Sequence, residues 1–371
     1  MDVFENKLYL DKSFVPNNEQ YLFRESEKEQ IDIVFNSLND FPSHIMAYGF
    51  AGSGKTSMMQ MMINDFEFKS NQKAFLINLN NCPTELQAIS FINSELGLVT
   101  RSRMMSQYYH DLKKYITDYD IKLLFVLDEV DKLLYKSGDS LLYNLLETPN
   151  ISLVLITNNV MCFDYIEERV KSRMGGLKKL LFKPYNAVEI KEILQHRADN
   201  GLTKDVVGNG TINRIASLSA QEHGDLRKAI SLLKSCGEIA EKRKTKIKDE
   251  YIEMALGLIE SDEISDIINS FPNQAKAILY AIVRLLNNTK KPEIDSSELY
   301  EEYLKVAKDF VSRTVNDRSI ADYIWDMDNS GITQSRVVSH GRYGRTRKIR
   351  LGIPLKIATE IIDKQTMLGS G

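Results

Sequence analysis

Cysteine is scarce in this chain, and its few copies are widely spaced. Only 3 of the 371 residues are cysteine (Cys82, Cys162 and Cys236), and no two of them form a C-x-x-C pair. This spacing excludes a disulfide framework and a cysteine-based zinc site, and it is typical of a protein kept in a reducing compartment. We therefore expect a cytoplasmic protein.

Long apolar runs and an excess of one charge are missing too. No stretch approaches the roughly 20 apolar residues that a membrane-crossing helix needs. The start, MDVFENKLYLDKSF, is charged and lacks the apolar core of a signal peptide. With 48 basic and 51 acidic residues, the formal net charge is only -3. Total charge therefore gives no reason for the basic segment Ser339–Gly352, SHGRYGRTRKIRLG, which contains five cations and no acid.

The length and the composition of the chain are those of a globular protein with several domains. Single hydrophobic cores rarely grow beyond roughly 250 residues, so a chain of 371 residues predicts two or three domains. The apolar share of 43% and the charged share of 27% are ordinary for folded domains.

The stretch HIMAYGFAGSGKTSMMQMMI matches the phosphate-binding pattern G-x-x-x-x-G-K-[ST] between a predicted strand, Ile45–Tyr48, and a predicted helix, Ser57–Ile63. Glycines let backbone N–H groups turn toward phosphate oxygens, and the helix N-terminus adds its positive dipole end. Lys55 is expected to reach the β- and γ-phosphates of ATP, and Thr56 to bind Mg²⁺. A chance glycine turn is the weaker alternative. The expected nucleotide-binding residues here are Gly49, Phe50, Ala51, Gly52, Ser53, Gly54, Lys55, Thr56 and Ser57.

Two acidic residues end a second apolar run. Leu123–Leu127 reads as a strand buried on both faces of a parallel sheet, and Asp128 and Glu129 follow it. Ligand chemistry in such sheets takes place beyond the carboxyl ends of the strands. We expect Asp128 to hold Mg²⁺ through water and Glu129 to orient the attacking water. Two acids opening a surface helix would fit the helix dipole, but would leave the apolar strand unexplained.

A third predicted strand, ISLVLITNN, ends in Asn158 and Asn159 at the same end of the expected sheet. An amide at this position could hold the lytic water near the γ-phosphate. Because Asn is also a common turn residue, its position in the sheet decides between the two interpretations. We therefore assign Asn158 to the site.

These motifs, together with ERVKSR, FKPYNAVEIKEIL and HGDLRKAI, occur in the order used by AAA+ ATPases. The chain most closely resembles the archaeal initiators of the origin-recognition and cell-division-control family. The resemblance implies an α/β P-loop AAA+ module (a parallel sheet with helices on both faces), an α-helical lid and a C-terminal winged-helix domain. The expected domains are residues 1–185, 186–260 and 261–365.

The resemblance also implies roles for residues outside the P-loop. Asn158 matches the first sensor, and Arg227 matches the second, which touches the γ-phosphate of the same nucleotide. Arg173 matches the arginine finger that reaches a neighbour's ATP; Arg169 is the second choice, and ordinary surface cations are the alternative. The residues expected around the base and elsewhere in the nucleotide pocket are Val15, Pro16, Arg24, Tyr185 and Arg197.

One segment departs from the family. In the relatives, a helix that touches DNA is inserted before the Asp-Glu strand. The stretch ELGLVTRSRMMSQYY occupies that place here without matching closely. Arg101 and Arg103 are expected to contact phosphates.

The second half reads first as lid helices, from Ala187 to about Ile259, because apolar residues recur at intervals of three and four. Ser261–Asp266 reads as a polar connector. Three helices and a hairpin follow, with Ile320, Ile324 and Met327 as a buried stripe of the third helix and Gly331 at its end.

This arrangement predicts a winged helix, with the basic segment Ser339–Gly352 as its wing. The helix would enter the major groove, and the wing would bind phosphates, so that affinity depends on salt. A protein-interaction module is the alternative, which the arginine cluster disfavours. The DNA-binding residues expected here are Asn316, Arg318, Ser319, Arg342, Tyr343, Arg345, Arg347 and Lys348.

The sequence thus predicts an ATP-controlled initiator that binds duplex origin DNA and helps to load an MCM-type replicative helicase. ATP or ADP and Mg²⁺ are the expected cofactors, other initiator subunits the expected partners, and the nucleoid the expected location. Hydrolysis would be slow and dependent on assembly. A clamp-loader subunit, a signalling ATPase, and a plasmid or mobile-element initiator or helper ATPase are the alternatives; the first is disfavoured because its helical collar has no basic wing.

Overall fold

Alternating apolar residues in the central strands create two separate cores. The computed structural model describes residues 2–101, 104–175, 177–339 and 345–368. In the strand after Ile121, the side chains of Leu123, Phe125 and Leu127 enter one core. Its neighbours Leu124 and Val126 enter the other. Side chains of a strand point alternately to opposite faces, so this strand is buried on both sides. The sheet therefore has a helical layer on each face, as predicted.

The sheet has five parallel strands in the order β2-β3-β4-β1-β5. The strands are β1 His44–Gly49, β2 Gln72–Asn78, β3 Lys122–Asp128, β4 Ile151–Thr157 and β5 Lys178–Phe182. The helices of this part are α1 Glu25–Ser37, α2 Lys55–Asp65, α3 Glu85–Glu95, α4 Met105–Tyr119, α5 Val130–Ser137, α6 Ser140–Leu146 and α7 Glu168–Arg173. Because all five strands run the same way, the residues that follow β1, β3 and β4 meet at one edge.

Three helices form the lid: α8 Ala187–Gly201, α9 Asn209–Gln221 and α10 Leu226–Arg243. Asn186 caps α8 in a reciprocal capping box with Glu189. Asp225 caps α10 by accepting hydrogen bonds from the N–H groups of Arg227 and Lys228. Both caps start their helices where the apolar pattern predicts a lid.

Residues 2–14, which we call the N-terminal strap, bind to the lid. Gly201 O accepts hydrogen bonds from the N–H groups of Glu5 and Asn6 at 3.0 and 3.1 Å. Val3 and Leu10 are completely buried. The ammonium of Lys234 on α10 donates to Asp11 at 2.7 Å, and this pairing holds the pKa of Asp11 well below its usual value.

The chain divides into two compact units, Met1–Ala255 and Leu256–Gly371. The helix α11, Glu250–Ser270, runs through Ser261–Asp266, so the predicted polar connector is wrong. Exposed polar residues are compatible with a helix where a few apolar residues pack; here Ile268 belongs to the core of the second unit, and Ile264 and Ile267 pack against that core.

The second unit contains the predicted three helices and hairpin, with two additions. Its elements are α12 Asn273–Thr289, α13 Ser296–Val306, α14 Asp317–Asn329, β7 Thr333–Ser339, β8 Arg345–Leu351, and the unpredicted β6 Ile294–Asp295 and α15 Leu355–Leu368. The three strands are antiparallel in the order β6-β8-β7. As expected, α14 buries Ile320, Ile324 and Met327, and Gly331 follows its C-cap residue Ser330 with a φ of +78°.

Candidate nucleotide site and nucleic-acid interface

A cavity of about 360 Å³ opens at the carboxyl edge of the large sheet. The loop between β1 and α2 forms its floor, and the ends of β2, β3 and β4 form one wall. The lining residues predicted from the sequence are Val15, Ala51, Gly52, Ser53, Gly54, Lys55, Thr56, Ser57, Asp128, Glu129, Asn158, Arg197 and Arg227. The structure thus brings together residues that lie more than 200 positions apart.

Lys55 is nearly buried at the start of α2, with 5% of its surface exposed. Its ammonium donates to the carbonyls of Gly49 and Phe50, at 2.9 and 2.8 Å, and to Asn158 Oδ1 at 2.9 Å. Burial lowers the pKa of Lys55 to about 8, although Asp128 opposes the shift. A cation held by neutral carbonyls in a polar cavity is suited to receive an anion.

Asp128 and Glu129 form the acidic wall opposite the P-loop. The Thr56 hydroxyl donates to Asp128 Oδ2 at 2.8 Å, and Glu129 N–H donates to Asp128 Oδ1 at 2.9 Å. Burial raises the pKa of both carboxyls, and at Glu129 the charge of Asp128 adds to the effect. Glu129 also has a left-handed backbone, with φ +56°, a conformation that costs a non-glycine residue free energy and is frequent at functional sites.

The hinge between the sheet and the lid packs tightly under the P-loop. The Tyr21 hydroxyl donates to Gly54 O at 2.8 Å, and Tyr185 is buried. A Cβ on Gly54 would lie 2.7 Å from the Tyr21 hydroxyl oxygen and 2.9 Å from that of Tyr185. Only glycine therefore fits this left-handed position.

Two buried arginines predicted for the nucleotide pocket donate hydrogen bonds to backbone carbonyls. Arg24 donates to Ser53 O at 3.3 Å and to Lys183 O at 2.5 Å, and it stacks over the Tyr185 ring. It does not line the main cavity in the described structure. Arg197 does line the cavity, and it donates to Tyr9 O and Phe14 O at 3.2 and 3.3 Å. Burial lowers the pKa of Arg197 to about 10.

The lid touches the P-loop through the loop before α10. Phe50 stacks on His223, with ring centroids 5.6 Å apart and planes inclined by 4°. A Cβ on Gly52 would lie 2.0 Å from Asp225 Oδ1. Arg227, the second residue of α10, lines the cavity and is more than half exposed. Pro16 lies beside Tyr185 and Arg197 in a smaller adjoining cavity.

The candidate finger arginines lie away from this cavity. Arg173 forms an ion pair with Glu147, and Arg169 pairs with Glu167 at 2.7 Å. Both guanidinium groups lie 4.9 Å from the centroid of the Tyr143 ring. Neither therefore serves its own chain's pocket in this arrangement.

Several lining residues were missed from the sequence: Lys12, Ser13, Phe14, Gln60, Leu76, Asn78, Leu226 and Ile230. Asn78 ends β2 directly opposite Asp128 in the sheet register. The end of an apolar strand beside the Asp-Glu strand is a signal that could have identified it. The strap residues carry no such signal, because only the folded lid brings them to the cavity.

Some of the residues predicted to contact DNA lie outside the described residues. Arg103, Arg342 and Tyr343 lie outside the described residues, as does the side chain of Arg345, while Arg101 is exposed in the loop between α3 and α4. Asn316 uses its side chain to cap α14, accepting from Ser319 N–H at 3.0 Å. Arg318 is exposed in the first turn of that helix.

Two predicted wing cations have partners within the chain. Arg347 donates to Ala321 O of α14 at 3.2 Å. Lys348 pairs with Asp295 at 2.9 Å, which raises the pKa of that lysine. Each contact ties β8 to a neighbouring element, so these side chains also support the fold.

The residues at the cavity fit a nucleotide with a divalent cation. A Cβ at Gly52 or Gly54 would clash with neighbouring atoms, so the loop has space only for its backbone at these two positions. Lys55 supplies a cation. Thr56 and Asp128 offer adjacent hard oxygen ligands. The described residues include no group of three or more His, Cys, Asp or Glu that could hold a metal alone, so phosphate and water would complete the coordination of Mg²⁺.

Three family models match successive parts of the chain. They are described as "AAA domain" over residues 41–160, "Cdc6 AAA+ ATPase-type lid domain" over residues 191–256, and "CDC6, C terminal winged helix domain" over residues 266–361. None of the helices in the described part of the chain has the length and apolarity of a membrane span. Fold and site together define an AAA+ ATPase module joined to a winged helix.

Similar proteins of known family identify a narrower group within the AAA+ ATPases. The ORC1-type DNA replication protein of Pyrococcus horikoshii is 32% identical over 96% of this chain and 89% of its own length. That of Sulfurisphaera tokodaii is 30% identical over 98% and 94%. A solved structure of the Aeropyrum pernix ORC1 protein in complex with DNA has a TM-score of 0.85 at 28% identity, over 100% of this chain and 99% of that one.

This chain belongs to the family of ORC1-type DNA replication proteins. The resemblance predicted from the motifs and the predicted fold class are both confirmed.

Proposed function

We propose that this protein is an ATP-controlled initiator of DNA replication that binds duplex origin DNA. The observation that carries the proposal is the joining, in one chain, of a P-loop cavity holding Lys55, Asp128 and Arg227 to a winged helix with a basic hairpin. Likeness to a DNA-bound ORC1 structure supports it. Domains 1–185, 186–260 and 261–365, nucleoid location, initiator partners and loading of an MCM-type helicase belong to the same proposal.

Each cavity residue has a separate task in this proposal. Lys55 and the P-loop N–H groups bind the phosphates, while Thr56 and Asp128 would hold Mg²⁺, which neutralises phosphate charge when bound. Glu129 orients a water molecule and accepts its proton; its raised pKa brings the carboxyl nearer to working pH. Asn158 fixes the Lys55 ammonium at 2.9 Å, and Arg227 reports the γ-phosphate to the lid.

The first test separates binding from turnover. We expect Lys55→Ala to abolish ATP binding, because the cavity loses its buried cation. Glu129→Gln should bind ATP normally yet stop turnover, because an amide cannot accept the proton. Equilibrium binding and phosphate release measure the two effects. Hydrolysis by Glu129→Gln at the wild-type rate would remove Glu129 from its role.

The second test addresses DNA. We expect Arg345→Ala and Arg347→Ala to weaken duplex binding and to lower the slope of log affinity against log salt by roughly 0.9 per lost phosphate contact. Because Arg347 also holds Ala321 O, Arg347→Lys serves as a control that keeps a cation. Unchanged affinity and slope in both alanine variants would contradict the assignment of the hairpin as a DNA-binding wing.

A further inference from the structure

The exposed face of α14 carries an unusual set of side chains for a helix near DNA. Opposite the buried stripe lie Arg318, Asp322, Trp325 and Asp326, all exposed. Trp325 is the sole tryptophan of the chain, and 63% of its surface is accessible. Positions 318, 322 and 325 follow the spacing of one helical face. We call these four residues the α14 outer face.

The helix that presents this face is held firmly at both ends and in the middle. Asn316 caps its start. At its end, Ile332 N–H donates to Met327 O and Gly331 N–H to Asp328 O, at 3.0 and 3.1 Å, which is the Schellman pattern. Arg347 fixes Ala321 O from the hairpin. Recognition surfaces built on such fixed elements have precise geometry.

The four aspartates of α14 divide into two kinds. Asp317 lies in the first turn, where the helix dipole favours it. Asp328 accepts from the Thr333 and Ser335 hydroxyls at 2.6 and 2.5 Å and so anchors the hairpin. Among the described residues, Asp322 and Asp326 have no ion-pair partner, and they flank the exposed indole. Within the part of the chain that the structure describes, the outer face therefore has two carboxylates and one cation without an ion-pair partner.

This charge pattern is unfavourable for contact with phosphates. Duplex DNA carries one negative charge per roughly 1.7 Å of its axis, so a face with two carboxylates is repelled by the backbone. Base edges are different, because the cytosine amino group donates to a carboxylate and the thymine methyl packs on apolar side chains. Both groups project into the major groove, which is wide enough for a helix.

We propose that Trp325, flanked by Asp322 and Asp326, is the sequence-reading residue of α14 and selects pyrimidine edges in the major groove. The indole packs against a thymine methyl, and the carboxylates accept from neighbouring cytosine amino groups. This inference rests on the proposed DNA-binding function and deepens it, because it assigns specificity to the acidic face and affinity to the hairpin.

The sole tryptophan makes the test direct. A duplex is selected from a randomised pool with the full-length chain and compared with a scrambled duplex of the same composition. Binding is followed by anisotropy of labelled DNA, and Trp325 by its emission and its quenching by acrylamide. We expect the selected duplex to shield Trp325, and the scrambled duplex to shield it less at equal occupancy.

Variants separate reading from general binding. Trp325→Ala should lose roughly tenfold or more in affinity for the selected duplex and little for the scrambled one. Asp322→Asn and Asp326→Asn should shift the preferred bases in a repeated selection. Replacing thymine by uracil in the selected duplex should reproduce part of the Trp325→Ala loss. Leu304→Ala, at an exposed apolar residue of α13, is the matched control and should change nothing.

Several outcomes would overturn the inference while the proposed function stands. They are bound DNA with Trp325 still open to acrylamide, an unchanged ratio of affinities in Trp325→Ala, or an equal loss on both duplexes. Shielding of Trp325 by a basic protein partner but not by DNA would identify the face as a protein-docking surface instead. If the wild-type chain binds neither duplex, the proposed function itself fails and this inference with it.

Discussion

Lys55 is nearly buried, and the cavity needs its positive charge to bind a phosphate. Its ammonium is satisfied by three oxygens from Gly49, Phe50 and Asn158, yet burial still lowers its pKa from 10.5 to about 8. Without ligand, the protein therefore holds this proton less tightly than the unfolded chain does. A phosphate anion reverses that preference, because it stabilises the charged form.

Nucleotide affinity should consequently depend on pH in one direction. Below about pH 7 Lys55 is already protonated, so affinity should be flat. As pH rises through about 8, binding must take up a proton, and affinity should fall by at most about tenfold per pH unit. Calorimetry in buffers of different ionisation enthalpy measures the uptake.

The lowered pKa of Lys55 affects the stability of the ligand-free protein in the opposite direction. Between pH 8 and 10.5 the unfolded chain binds the Lys55 proton more tightly than the folded one, so this residue makes the ligand-free fold more stable as pH rises.

The Glu129→Gln variant, which keeps Lys55, is the control for the pH dependence of nucleotide affinity and should show the same proton uptake on binding. A constant affinity from pH 7 to 9.5 would show that Lys55 does not exchange its proton on binding.

At the level of single residues, sequence reasoning succeeded where a motif fixes the backbone. Lys55, Thr56 and Asp128 could be placed together because a P-loop and an adjacent strand end always meet at one sheet edge. The contacts of Arg24 and Arg197 depend instead on how the strap and the hinge fold back. No local pattern encodes that path, so their partners could not be predicted.

Among the elements, the P-loop and the cap of α10 are built against each other. Gly52 has φ +74°, and an added Cβ would also come within 2.8 Å of the Asp225 Cα. The flexible end of a side chain could move aside, but a backbone atom at a helix cap cannot move without shifting the lid. The turn is therefore closed to every residue except glycine.

Gly52→Ala should be destabilising beyond the ordinary cost of a left-handed alanine. Gly97, which follows α3, is a matched control, because its φ is +73° and nothing lies within 4 Å of its added Cβ. We expect Gly97→Ala to cost about 1–2 kcal/mol of unfolding free energy, and Gly52→Ala to cost more and to impair lid closure. Denaturant unfolding of both variants measures the difference; equal losses would mean that the lid yields freely at Asp225.

Element boundaries show where periodicity is informative and where it is not. Strands β3 and β4 could be predicted because both faces are buried and most residues of each strand are apolar. Strand β6 has only two residues, too short for any pattern. The polar composition of Ser261–Asp266 indicates a connector, but α11 continues through it, because a helix needs only an occasional apolar contact to continue.

For the molecule as a whole, Arg173 raises the question of which chain it serves. It lies beside Glu147 and the Tyr143 ring, outside the cavity that contains Lys55. An arginine finger would need to leave these partners and fork across the phosphate oxygens of a neighbouring subunit. Exposed ion pairs are weak, so a neighbour's ATP can compete for it.

Arg173→Ala should leave the nucleotide affinity of the dilute protein unchanged and should remove any turnover stimulated by assembly. Phosphate release measured across protein concentrations tests both statements. Lys171→Ala is the matched control, since that residue is a cation of the same helix, α7, and pairs with Glu168. An equal loss of turnover in dilute Arg173→Ala would show that the residue acts within its own chain.

The N-terminal strap has a consequence for how the protein is made. Asp2 and Thr203, which hydrogen-bond to each other, are 201 positions apart, and Asp11 and Lys234 are 223 apart. At about 5–20 residues per second, a ribosome delivers these partners roughly 10–45 s after the strap itself. During that interval Val3 and Leu10 have no core to enter and are available to chaperones. The strap residues, which leave the ribosome before the lid, are thus among the last of their unit to fold, and the lid is completed only after they return.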